Sequence, residues 1–123
     1  IYANKTFLAF GYKGVIRTSS NGKSWIKRKS GTKKSLNGAT YGNSTFAAVG
    51  NTGTIRSSSN GKSWTKKKSG NKKHLKGITY GNGKFVIVGN SGTILTSKGL
   101  TTWTKKKSGT SQHLRRVFFD VLD

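Results

Sequence analysis

Apolar and polar residues come in short bursts along this chain, and the bursts return at a fixed interval. Lys84-Phe85-Val86-Ile87-Val88 and Thr6-Phe7-Leu8-Ala9-Phe10 are apolar on both faces of an extended backbone. That is the pattern of a strand covered on each side, and it calls for sheets packed face to face. Leu75–Tyr80 reads as a strand ahead of Lys84–Val88, joined to it by Gly81-Asn82-Gly83, whose Asn-Gly pair suits a two-residue hairpin. Gly89-Asn90-Ser91-Gly92 turns the chain into a third strand, Thr93–Ser97, and a fourth is predicted at Thr102–Lys106. In the preceding copy Trp64-Thr65-Lys66-Lys67-Lys68 carries one large aromatic and then charge. It suits a sheet edge, where lysine blocks pairing with stray strands. Short connections, glycine at the corners and no proline give an antiparallel meander.

The interval is 39 residues. Trp25, Trp64 and Trp103 keep it, as do Phe7, Phe46 and Phe85, Gly11, Gly50 and Gly89, and Leu36, Leu75 and Leu114. A period of this size means one supersecondary unit copied along the chain, each copy leaning on the next. A four-stranded meander with buried middle strands and a charged outer strand is a propeller blade. The expected fold is therefore all-β, a β-propeller of four-stranded antiparallel blades with three repeats per chain. A β-solenoid is the rival, but its parallel coils would not use hairpin turns.

The expected module spans 1–123, with blade 1 at about 1–35, blade 2 at about 36–74 and blade 3 at about 75–113. An extra inner strand follows at about 114–123, centred on Leu114–Phe119. Tyr2-Ala3-Asn4 aligns with Tyr41-Gly42-Asn43 and Tyr80-Gly81-Asn82, so the chain opens inside a first strand. Three blades cannot close a ring, because propellers need four or more. A homodimer giving six blades is expected, with Leu114–Phe119 of one copy completing the first blade of the other, or else a larger propeller of which this is a piece. The start at Ile1 and the lack of methionine fit a processed product or a fragment.

Charge changes the picture. The chain has 24 Lys and Arg against two acids, Asp120 and Asp123, for a net charge of +22. Such a surface carries a positive potential of several kT and attracts nucleic acid, anionic lipid and acidic glycans alike. The plainer reading is that the lysines keep a sheet-rich protein in solution. No cysteine is present, which excludes disulfides, thiol catalysis and Cys-ligated zinc. No apolar run approaches a membrane span.

Ser19-Ser20-Asn21-Gly22-Lys23-Ser24-Trp25 and Ser58-Ser59-Asn60-Gly61-Lys62-Ser63-Trp64 resemble the Asp-box, or bacterial neuraminidase repeat. Tyr80 to Ile94 is similar to the repeats of bacterial Asp-box-type propellers, including those like the photosystem II assembly factor. The resemblance covers essentially the whole chain and implies a propeller, with an extracellular or cell-surface setting. It makes Ser19, Asn21, Gly22, Trp25, Ser58, Asn60, Gly61, Trp64 and Trp103 structural positions, the tryptophans packing between blades. The motif's Asp is Asn21 and Asn60 here, and Gly99 in a third copy, Lys98-Gly99-Leu100-Thr101, that has lost the pattern. Asparagine can make the same side-chain-to-backbone bonds.

No enzyme is expected. Glycoside hydrolysis usually uses a carboxyl pair, and sialidases an acid with an activated tyrosine and clustered arginines, whereas the only acids here, Asp120 and Asp123, lie at one end. Tyr41 and Tyr80 recur with the repeat and read as structural. His74 and His113, without carboxylates or cysteines, make no metal site, and no cofactor is implied. The basic groups carry the functional expectation. Lys27-Arg28-Lys29, Lys66-Lys67-Lys68 and Lys105-Lys106-Lys107 fall on three outer strands, followed by Lys33-Lys34, Lys72-Lys73 and Arg115-Arg116 in the next loops. Repeated basic stations would hold an acidic polymer, nucleic acid or anionic glycan, through counterion release. A self-assembling or protein-binding scaffold is the alternative, and a lectin the third.

Overall fold

The computed structural model describes residues 1–120. Its strands are β1 (Tyr2–Ala3), β2 (Thr6–Phe10), β3 (Ile16–Ser19), β4 (Ile26–Arg28), β5 (Leu36–Gly42), β6 (Thr45–Gly50), β7 (Thr54–Ser58), β8 (Thr65–Lys68), β9 (Leu75–Gly81), β10 (Lys84–Gly89), β11 (Thr93–Ser97) and β12 (Thr104–Lys106). They make three four-stranded antiparallel sheets, each taking its strands in chain order: β1 to β4, β5 to β8, β9 to β12. No α-helix forms among the described residues.

Each turn has a local cause. Asn4-Lys5, Asn43-Ser44 and Asn82-Gly83 hold φ between 49° and 76° at both positions, the left-handed pair whose twist matches that of the strands it joins. Between the second and third strands lies a single 3₁₀ turn: Tyr12–Gly14, Asn51–Gly53 or Asn90–Gly92. Gly53 stands there at φ 69°, and a Cβ on it would overlap the Asn71 carbonyl of the loop leaving β8. Only glycine fits both the dihedral and the space.

The sheets stack face to face in sequence order. Ala48 of β6 joins Leu8, Ile16 and Leu36 in one core, with Phe10, Ala39 and Trp64 packed against it. Its neighbours Ala47 and Val49 point the other way, into a second core with Ile55, Leu75, Phe85, Ile87 and Leu100, against which Trp103 lies. This strict alternation is what a strand covered on both faces requires. First strands approach most closely, since a Cβ on Gly38 would sit 3.1 Å from the Cα of Gly77.

Two expectations need correction. The fourth strands are shorter than expected, Thr104–Lys106 in the third copy and Thr65–Lys68 in the second, with the tryptophan outside the ladder. Trp64 Nε1 donates to Gly61 O at 3.0 Å, and Trp103 Nε1 to Leu100 O at 3.1 Å, which keeps each ring in the preceding turn. Leu114–Phe119 forms no strand. It nevertheless runs beside β9: Leu114 N donates to Gly89 O at 3.0 Å, as Leu36 N does to Gly11 O. A Cβ on Gly77 would likewise meet Arg115 O at 3.0 Å. The segment has a seat but no ladder, because no second strand lies on its other side among the described residues. The rest of the expected extra strand, residues 121–123, lies outside the described residues.

Candidate functional site

The turn between the third and fourth strands is built by side chains. Ser58, itself buried, accepts from Asn60 N at 3.3 Å and Gly61 N at 2.8 Å through Oγ. Asn60 Oδ1 then accepts from Lys62 N at 2.8 Å and Ser63 N at 3.1 Å. Ser19 and Asn21 repeat this, serving Gly22 N, Lys23 N and Ser24 N at 2.8, 2.8 and 3.0 Å. In the third copy Leu100 replaces the glycine, yet keeps φ at 69° and donates its N–H to Ser97 Oγ at 2.9 Å. The backbone turn therefore persists where the residue pattern is lost. Burial of the Leu100 side chain in the second core offsets a left-handed conformation that costs roughly 1–2 kcal/mol. Trp64 and Trp103 are half-buried between sheets, whereas Trp25, with no sheet ahead of it, is 42% exposed.

These turns hold each fourth strand against the third, and a cleft opens beside the pair in every repeat. The first, of about 540 Å³, is lined by Tyr12, Lys13, Arg17, Lys27, Arg28, Lys29 and Lys33 among others. The second, also about 540 Å³, takes Lys34, Arg56, Lys66, Lys67, Lys68 and Lys72. The third, about 580 Å³, has Lys105, Lys106 and Lys107. Equivalent glycines, Gly14, Gly53 and Gly92, floor all three.

The predicted basic pairs separate. Lys33 enters the first cleft and Lys34 the second, Lys72 the second, while Lys73 lines none of them. Arg115 and Arg116 instead border a smaller cavity of about 370 Å³ at the first-strand end, with Lys76 and His113. Of the fifteen basic residues singled out, only Arg28 and Lys67 are half-buried, and Arg28 Nε is spoken for by Thr18 Oγ1 at 2.9 Å.

Sequence reasoning missed Arg17 and Arg56. Arg56 Nη2 donates to Gly31 O at 2.6 Å, tying the second sheet to the loop after the first, while its Nε is buried with no acceptor. The signal was available, since the two arginines are one repeat apart. The histidines also have a role that the sequence concealed. His74 Nδ1 accepts from Thr52 N at 3.0 Å and His113 Nδ1 from Ser91 N at 2.9 Å. Ser35 Oγ does the same for Lys13 N in the first repeat, at 3.2 Å. Each holds a non-glycine residue at φ between 55° and 58°. Tyr41 and Tyr80 meet Phe46 and Phe85 with their planes 60° apart, ring centroids 4.6 and 4.7 Å from each other.

Among the described residues no three His, Cys, Asp or Glu side chains converge, and no helix is long and apolar enough to cross a membrane. No protein-family model matches the chain. No curated protein matches its sequence either.

Proposed function

We propose that this chain is a non-enzymatic, Asp-box-like β-propeller module that holds acidic polymers electrostatically. One observation carries the reading. Clefts recur at the same place in each repeat, the first two lined by six cations each and the third by three, on a chain whose only acids are Asp120 and Asp123. Solubility alone would not require lysines and arginines to converge on concave surfaces. Nucleic acid and anionic glycan share the chemistry these clefts recognise, a backbone of closely spaced anions.

The test is binding of single-stranded DNA, duplex DNA and heparin across a salt series. If six or more anions are engaged, affinity for duplex should fall about 1,000-fold between 50 and 200 mM salt. No binding at low salt would overturn the proposal, and sugar binding indifferent to salt would mark a lectin.

A second reading, self-association into a closed ring, is favoured by the two ends of the stack. Trp25 is exposed beside Phe7 on the outer face of the first sheet, in the position by which Trp64 packs on that sheet. Leu114–Phe119, seated on β9 without a ladder, would complete the first sheet of a second copy. A solution mass of two chains, giving six blades, supports this reading, and a strict monomer removes it.

A further inference from the structure

Tyr12 departs from its repeat. Its equivalents are Asn51 and Asn90. Asn51 accepts from Asn37 Nδ2 at 2.9 Å through Oδ1, a structural bond inside its own sheet. Tyr12 makes no side-chain hydrogen bond and is 76% exposed. Its backbone carbonyl still accepts from Val15 N at 3.2 Å, so the turn does not depend on the ring. The ring borders the first cleft with Arg17, Lys27, Lys29 and Lys33, and Lys13 Nζ stands 5.4 Å from its centroid. A largely exposed aromatic, where the second repeat has an asparagine bonded within its sheet, on the rim of a cationic cleft, is arranged for contact with a ligand.

We infer that Tyr12 is a base-stacking platform, and that the acidic polymer this cleft takes is single-stranded nucleic acid. The inference rests on the polyanion reading and narrows it. Phosphates and glycan sulfates satisfy the lysines equally, but only a nucleic acid also offers flat aromatic faces. In a duplex those faces are stacked on each other. In a single strand they are free, and a tyrosine beside a basic groove is the standard means of holding them without reading sequence.

The experiment uses the whole chain with an oligothymidylate, a duplex of equal length and heparin, for wild type, Tyr12→Asn and Tyr12→Trp. Asparagine is the residue the other repeats carry there, so folding should be unaffected, which circular dichroism checks. Tyr12→Asn is expected to weaken oligothymidylate binding roughly 5- to 100-fold, the worth of one stacked base. The salt slope should stay unchanged, and duplex and heparin affinities should stay within about twofold, because no charge is removed. Tyr12→Trp should retain the wild-type affinity. Equal losses for all three polymers would overturn the inference, as would no loss for oligothymidylate. So would a change in solution mass with Tyr12→Asn, which would make the ring a contact between copies. Failure of wild type to bind any polymer would bring down the polyanion reading with it. Binding of all three that ignores Tyr12 would remove only this narrower one.

Discussion

A carboxamide oxygen is the pivot of each well-formed turn between third and fourth strands. Asn60 Oδ1 takes two backbone N–H groups that would otherwise face only solvent, and a net hydrogen bond is worth about 0.5–1.5 kcal/mol. Asn60→Ala should therefore cost about 1–2 kcal/mol in urea unfolding. Asn60→Asp should cost far less, because a carboxylate accepts the same pair. A comparable loss for both variants would show that the turn does not rely on this oxygen. His74 offers a cleaner contrast. It is bound only as an acceptor, through Nδ1, and Ser35 meets the same need in the first repeat. His74→Ser should be nearly silent and His74→Ala should cost about 1 kcal/mol, whereas equal effects would mean that the ring's bulk, not its nitrogen, matters.

At the level of strands and sheets, the tryptophans separate by what lies in front of them. Trp64 is half-buried against the first sheet's core, and Trp103 against the second. Large-to-small changes at well-buried aromatics cost about 3–5 kcal/mol, so Trp64→Ala should lose about 2–3 kcal/mol of stability. Trp25→Ala should lose less, because a ring that is 42% exposed, with no sheet in front of it, gives up less buried area. If the two losses are equal in a dilute solution, Trp25 is covered by another copy and the ring is closed. The strands and hairpins were legible because period-two patterning, Asn-rich turns and a constant interval all pointed the same way. Other features were not legible. Whether Leu114–Phe119 pairs depends on a neighbour rather than on its own residues. Arg17 and Arg56 were marked only by their one-repeat spacing, since each stands alone in its strand outside the lysine runs that draw the eye. Leu100 keeps a left-handed turn because its side chain is buried, and burial is a tertiary fact. Lys33-Lys34 looked like one station, yet the two lysines face clefts of different repeats.

For the molecule as a whole, the decisive question is whether +22 acts as composition or as architecture. Like charges repel within the compact state and destabilise it, so added salt should raise the melting temperature when no polymer is present. A polyanion acts differently, by mass action on whichever state it prefers. Bound only to the folded chain at about 100 times Kd, it stabilises by about 2.7 kcal/mol. For a domain of this size that is roughly a 10 °C rise in melting temperature. Binding to the unfolded chain erodes the gain, and the unfolded chain carries the same 24 cations. The sign and size of the shift therefore distinguish the two cases. Clefts that gather six cations each beside folded strands should prefer a polymer more than a loose chain does, so a substantial rise is expected with an oligothymidylate at low salt. The rise should vanish near 1 M salt, where the Debye length is about 3 Å. A melting temperature that stays level or falls with bound polymer would mean that the charge attracts polyanions without any built site, and the clefts would lose their claim to function.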